Sequence, residues 1–310
     1  MSVNSLEIRP LDAPLGAEVI GADPQLALDE TARAAIRAAL HRHRVLVFRG
    51  EPRSNAALVS FARWFGALVT LYEHETTVPG HPDMVRVSNV VEDGRPIGLA
   101  GEQELPWHHD HSYLECPAKE SFLEAVLLPP NPPTTSFVDM AASLAALPDR
   151  LRARIAGLRA VHHIDERAPD SVDAPAGLEV SGTTPEYTDS TNVLAQERIA
   201  SNRALHPMVV RHPDSGLAVL YISPLATHDV AGLSHDDGME LLSELFELAI
   251  QPERIYVHEW SAGDLVVWDT ISTLHRREAF DPSGRRLMKQ MSTQCVGPLR
   301  DFDSMERGRE

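Results

Sequence analysis

Apolar and polar positions along the chain change period several times, and each change marks an element. Residues 28–43 place apolar side chains at Leu28, Ala32, Ala35, Ile36 and Leu40, the spacing of an amphipathic helix with Asp29 set to cap it. Residues 44–49 are an apolar run of strand length ended by Gly50, and residues 55–65 predict a second helix stopped by Gly66. From Asp83 to Phe137 the pattern is mostly that of strands: residues 84–90 alternate, and residues 120–128 are apolar and extended before Pro129-Pro130. Residues 140–156 return to helical spacing, broken at Pro148. A hairpin is expected over 208–222, a helix over 236–250, and closing strands over 255–260, 264–268 and 286–294.

Between 163 and 205 no apolar period is visible, and Pro, Asp, Ser, Thr and Gly dominate. Structureless stretches of that length inside a domain are usually functional, so residues 165–204 are expected to form a lid or insertion near the mouth of an active site. No linker or internal repeat divides the rest. The expectation is one domain over residues 1–310, mostly β with flanking helices.

Composition narrows the partners. A hydrophobic fraction of 43% and a charged fraction of 24% are those of an ordinary globular protein. The net charge of −17 argues against nucleic acid and anionic membranes, which attract basic faces. Cys116 and Cys295 are the two cysteines, too few for a disulfide framework, and fit a cytoplasmic setting. Residues 1–9 do not read as a secretory leader, and no apolar run approaches the length of about 20 residues that spans a bilayer.

The candidate chemistry lies in Trp107-His108-His109-Asp110, answered downstream by residues 263–269 and His275. Two imidazoles and a carboxylate on one face of a metal make the facial triad of a non-haem Fe(II) oxygenase, leaving the other face for co-substrate and O2. If the stretch is extended, His108 and Asp110 point to one side while His109 and His111 face away. A 2-oxoglutarate oxygenase also needs a cation and a hydroxyl for the distal carboxylate of its co-substrate. Arg285-Arg286 offers the cation on the following strand, and Thr135 the hydroxyl.

On these residues the chain resembles the taurine dioxygenase and 2,4-dichlorophenoxyacetate dioxygenase (TauD/TfdA) family. The likeness runs through residues 15–23, 107–113 (WHHDHSY), 137–140, 206–210, 220–221, 232–234 and 260–269 (WSAGDLVVWD), then His275 and Arg285-Arg286. The resemblance implies a double-stranded β-helix (jelly roll) with Fe(II) held by His108, Asp110 and His275. It also implies that Thr135 and Arg286 hold the distal carboxylate of 2-oxoglutarate. The reaction implied consumes O2, releases succinate and CO2, and oxidises an unactivated C–H bond of a small molecule, by hydroxylation in the first instance and otherwise by desaturation or cyclisation. A homo-oligomer, dimer or tetramer, is implied as well.

Two positions depart from the family pattern. Pro132-Pro133-Thr134 stand before Thr135 where relatives carry Gly-Gly-Asp or Gly-Gly-Asn, which leaves Thr134 as a substitute hydroxyl. Gln290 stands where sulfonate-using relatives carry a further arginine, so taurine is not the expected substrate. Arg276 or Arg277 could supply a cation from another direction, but both read first as surface charges. Tyr72, His74, Glu104 and Gln290 are the candidate substrate residues. The competing readings are a non-catalytic jelly-roll ligand-binding or sensor protein, and a hydrolase using the same triad for Zn(II).

Overall fold

Helix α1 (Glu30–His43) begins where the sequence places its cap: the Asp29 carboxylate accepts from Ala32 N–H at 2.8 Å, and Ile36, Ala39 and Leu40 are buried. It follows β1 (Glu7–Pro10) and β2 (Ala17–Ile20) and leads into β3 (Val45–Phe48). Helix α2 (Asn55–Ala62) starts on the Ser54 cap but stops short of Phe65, because Trp64 and Phe65 tighten into i→i+3 bonds to Phe61 and Ala62. Then come β4 (Thr77–Val78), β5 (His81–Ser88), the small ribbon β6 (Val91–Glu92) and β7 (Arg95–Pro96), β8 (Leu105–His108), β9 (Ala118–Leu127) and β10 (Thr135–Asp139). Pro148 splits the next helical stretch into α3 (Met140–Ala146) and α4 (Asp149–Ile155). The remainder is β11 (Arg159–His163), β12 (Arg203–Pro207), β13 (Val209–Arg211), β14 (Ala218–Leu220), β15 (Thr227–Val230), α5 (His235–Ala249), β16 (Ile255–His258), β17 (Leu265–Asp269), β18 (Thr273–Arg277), β19 (Leu287–Gln294) and β20 (Arg300–Asp301).

These elements belong to a computed structural model that describes residues 6–26, 28–71, 76–163 and 203–302. The expected lid over 165–204 lies outside the described residues apart from Arg203 and Ala204, which open β12. Candidate residues Tyr72 and His74 lie outside them too.

An eight-stranded sheet in the order β1-β2-β3-β17-β9-β19-β5-β4 faces a four-stranded sheet in the order β16-β10-β18-β8. Apart from the parallel β2–β3 pair, neighbours in both are antiparallel. This is the jelly roll. Strand period decides which residues meet inside. Val45, Val47, Leu123, Val266, Trp268 and Met288 of the large sheet pack against Phe137 and Tyr256 of the small one. The alternate residues Leu46, Phe48, Phe122, Leu265 and Val267 face outward and are covered by Ile36, Leu40, Leu58 and Phe61 of α1 and α2. Helices α3, α4 and α5 cover the small sheet through Leu144, Leu151, Leu241 and Leu245.

The turn into β17 shows why the Gly-Asp pair of residues 263–264 is needed there. Gly263 has φ +81°, and a Cβ on it would lie 1.9 Å from the Gly50 carbonyl oxygen. Two features went unread in the pattern. Strands β11 and β12 pair with each other across the polar stretch, and β18, with the sequence TLHRR, is a central strand although little of it is apolar. It qualifies because Leu274 enters the core on one face while the polar residues on the other line a cavity. Among the described residues no helix is long and apolar enough to cross a membrane.

Candidate metal centre

His108 is the last residue of β8, and His275 sits directly opposite it on β18. Asp110 lies just beyond the strand, in a turn pinned by its own N–H donating to Thr270 Oγ1 at 3.0 Å. The chain is therefore not extended through the whole motif, and strict alternation fails: His109 and His111 both reach the cavity wall. His109 is tied by Nδ1 to the Thr270 carbonyl at 2.7 Å and stacks on Tyr221, while His111 turns the chain with φ +53°.

The three expected ligands do come together. One donor atom from each of His108, Asp110 and His275 lies within 4.8 Å of the others, and all three residues are buried. His108 Nε2 and His275 Nε2 stand 3.7 and 3.8 Å from Asp110 Oδ1, too far for hydrogen bonds and suited to sharing a cation. His108 Nδ1 lies 2.7 Å from the Pro106 carbonyl, which requires its proton there and turns the Nε2 lone pair inward. Burial holds both imidazoles below their usual range, His275 down to about 3 with the His108 charge adding to the effect. Burial alone would raise the Asp110 carboxyl, but the neighbouring His275, His108 and His111 rings and the Ser121 hydroxyl outweigh it, and its titration lies below the usual carboxylate range. Two neutral imidazoles and an anionic carboxylate fit a divalent metal ion by the chemistry of the donors.

Around Asp110 the large sheet supplies the supports. Ser121 of β9 donates to Oδ2 at 2.6 Å and lies 2.9 Å from Ser292 Oγ on β19. Gln290, also on β19, donates Nε2 to Oδ1 at 3.3 Å. Gln290 thus meets the candidate ligand itself, whereas Glu104 is exposed, stands 3.9 Å from Arg276 and is not on the cavity wall.

The triad opens into a cavity of about 200 Å³. Val87, Leu99, Leu105, Leu123, Leu225 and Trp268 form its apolar wall; Thr135, Arg277, Arg286 and Gln290 supply polar groups. A larger open hollow of about 510 Å³ along Val161, Arg203 and Asp229 holds no comparable donor cluster among the described residues.

Arg286 is 1% exposed, and its Nε and Nη1 have no partner among the described residues. Burial, with the charge of Arg277 adding to it, lowers this guanidinium to about 9. A buried cation without an anion is costly, so the cavity is built to receive one. Thr135 is buried on the same wall and accepts from Trp260 Nε1 at 2.9 Å, leaving its own O–H free to donate. Thr134 instead donates to Glu278 at 2.9 Å and does not line the cavity. Arg277 departs from the sequence reading. It is 5% exposed and lines the cavity, whereas Arg276, one residue earlier, lies over Trp107.

Fold and donor set together define a metal-dependent oxygenase of the jelly-roll class, and comparison with known proteins gives the family. Residues 7–292 match the model of the taurine catabolism dioxygenase TauD, TfdA family. Pentalenolactone F synthase of Streptomyces avermitilis is 36% identical over 282 residues, covering 90% of each chain. The alpha-ketoglutarate-dependent 2,4-dichlorophenoxyacetate dioxygenase of Cupriavidus pinatubonensis is 33% identical, over 93% of this chain and 98% of its own. Among solved structures, a taurine dioxygenase from Burkholderia xenovorans superposes with a TM-score of 0.75 at 28% identity, over 95% of this chain and 91% of its own. AAD-2 in complex with Mn(II) and N-oxalylglycine superposes with a TM-score of 0.74 at 28% identity, over 96% and 100%. The chain belongs to the TauD/TfdA family and is an Fe(II)- and 2-oxoglutarate-dependent dioxygenase.

Ser121 and Thr270 are the site residues that sequence reasoning missed; Arg277 it offers as an alternative cation but reads first as a surface charge. A lone serine inside the apolar run of β9 was a signal for Ser121, since an inward polar side chain in such a strand needs a partner. Thr270 carried none.

Proposed function

We propose that His108, Asp110 and His275 hold Fe(II) and that Arg286 with Thr135 receives the distal carboxylate of 2-oxoglutarate. The observation that carries this is the unpartnered, buried Arg286 guanidinium on the same cavity as the triad. When bound, Fe(II) with 2-oxoglutarate and O2 supplies the oxidising power that attacks an unactivated C–H bond, with succinate and CO2 as co-products.

The protein's own part is binding, orientation and exclusion of water. Asp110 contributes the negative charge, Ser121 fixes its second oxygen, and Gln290 steadies the first. Pro106 fixes the tautomer of His108. The Arg286 fork and the Thr135 hydroxyl orient a carboxylate, and the apolar wall keeps water from the reacting carbon.

The substrate is a small molecule with an apolar body, and it is not taurine. The apolar wall supports the first statement. The second rests on Gln290, a neutral amide spent on Asp110 where a sulfonate would need a cation. Tyr72 and His74 belong to the proposal as sequence-derived substrate contacts, and Glu104 has no support from the cavity. A sensor role would leave an intact donor set without work, and a zinc hydrolase would leave Arg286 without a task.

The chain is read as one domain, which the large sheet supports by joining β1 to β19. A homo-oligomer, dimer or tetramer, follows from the family resemblance, to be checked by light scattering. A cytoplasmic setting is supported by two free cysteines.

The test of the cofactor assignment is anaerobic titration of the apo protein with Fe(II) and then 2-oxoglutarate, in wild type and in Arg286→Ala. A weak visible band that appears with 2-oxoglutarate in the wild type and is lost in the variant is the expected result. Absence of the band in the wild type, with tight Zn(II) binding instead, overturns the assignment.

A further inference from the structure

Arg277 is a second buried cation on the cavity, and its surroundings satisfy it only in part: one face of its guanidinium lies 5.3 Å from the Phe280 ring centroid. Its Nη2 donates to the carbonyl oxygens of Gln103 and, at 3.4 Å, Ala100, while Nε and Nη1 are buried without partners among the described residues. No carboxylate of the described residues lies within 4.0 Å of it. Glu104 is spent on Arg276, and Glu102 and Glu104 reach Arg277 only through space. Two arginines so placed repel each other and are both desolvated, an arrangement that an anion between them relieves.

Strand register says where that anion sits. On β18, Arg277 follows His275 by two residues and so points to the same face. Directly opposite Arg277 on β10 is Thr135, as Phe137 is opposite His275. Residues directly opposite in antiparallel strands carry their side chains to the same side. Thr135 and Arg277 therefore occupy one step of the sheet, next to the step that carries the candidate metal ligand. Arg286, the residue before β19 of the facing sheet, lines the same cavity as Thr135 and Arg277.

We propose that Arg277 is a second cation on the distal carboxylate of 2-oxoglutarate, closing a clamp with Arg286 and Thr135. A carboxylate has about four lone-pair sites, enough for two guanidinium groups and one hydroxyl. Arg277 then determines selectivity for a dicarboxylic over a monocarboxylic 2-oxo acid, and leaves the substrate side of the cavity apolar. The inference rests on the assignment of this cavity to Fe(II) and 2-oxoglutarate.

The experiment compares two probes on the anaerobic Fe(II)-loaded protein: 2-oxoglutarate, and 2-oxopentanoate, which has a methyl group where 2-oxoglutarate has its distal carboxylate. In Arg277→Gln the Kd for 2-oxoglutarate is expected to rise roughly 30-fold while that for 2-oxopentanoate stays level or falls. Arg277→Lys, which keeps the charge but loses the fork, is expected to fall between the two and serves if the glutamine variant does not fold. Equal weakening of both probes would make Arg277 a structural residue only. No change for either would overturn the clamp and leave the arginine to an anionic group of the substrate. Failure of the wild type to bind 2-oxoglutarate would bring down the parent assignment, a result distinct from either.

Discussion

The two ends of the cavity are built on opposite terms. At the triad end, two of the three candidate ligands already have partners: Pro106 holds His108, Ser121 and Gln290 hold Asp110, and Thr270 anchors the turn between them, while His275 Nδ1 is buried without a partner among the described residues. At the other end, Arg286 and Arg277 keep buried N–H groups with nothing to donate to among the described residues. The first end is preorganised, so a metal finds its donors aimed and little reorganisation remains. The second end is left electrostatically open, and its cost is offset only when a ligand brings an anion. On the proposed assignment an order of binding follows from this contrast: the triad would hold its ion alone, whereas the arginines would need the co-substrate.

Mutations separate the two ends. The largest effect is expected from Asp110→Asn, which removes the only carboxylate of the triad. Loss of about 4 kcal/mol of metal-supported stabilisation lowers 2-oxoglutarate turnover about a thousandfold, with Fe(II) affinity falling in parallel by calorimetry. Arg286→Ala acts at the open end. It is expected to weaken 2-oxoglutarate about a hundredfold while Fe(II) affinity is unchanged; a joint loss of both would erase the distinction drawn between the ends. Ser121→Ala tests the preorganised end from behind the ligand, with metal affinity down roughly 10–100-fold and the preference for 2-oxoglutarate over 2-oxopentanoate unaltered.

The smallest effect concerns stability and lies outside both ends. His206 is buried between β12 and the turn after the metal motif, with Nε2 at 2.9 and 3.0 Å from the carbonyls of Ser112 and Leu114. Burial pulls it down to about 4 from 6.5. The unfolded chain therefore binds the proton first, and stability falls as pH drops from 6.5 toward 4. The slope from this one group is at most about 1.4 kcal/mol per pH unit. Urea midpoints between pH 7 and 5 should fall less steeply in His206→Gln than in the wild type.

Much of the fold was legible because local signals agreed with the global arrangement. The Asp29 cap, the break at Pro148, the alternation of β5 and the apolar run of β9 each specify an element without reference to the others. Where signals came from neighbours, reading failed. Strand β18 owes its conformation to β10 and β8 on either side, and β12, which begins 40 residues after β11 ends, pairs with it across a stretch that looked featureless.

Sequence alone determined the donor types at the site: the His-x-Asp pair, the later His275 and the arginine eleven residues beyond it are covalent facts of spacing and chemistry. Tertiary structure decided which groups those donors would meet. Arg276 and Arg277 are adjacent and chemically identical, yet one lies over Trp107 and the other lines the cavity, because strand parity sends neighbours to opposite faces. The same applies to Thr134 and Thr135, and to Gln290, whose amide finds Asp110 only because β19 lies beside β9 in the sheet that faces the triad. A chain can encode a side chain's charge and reach, but its partner is set by register and by which sheet lies opposite.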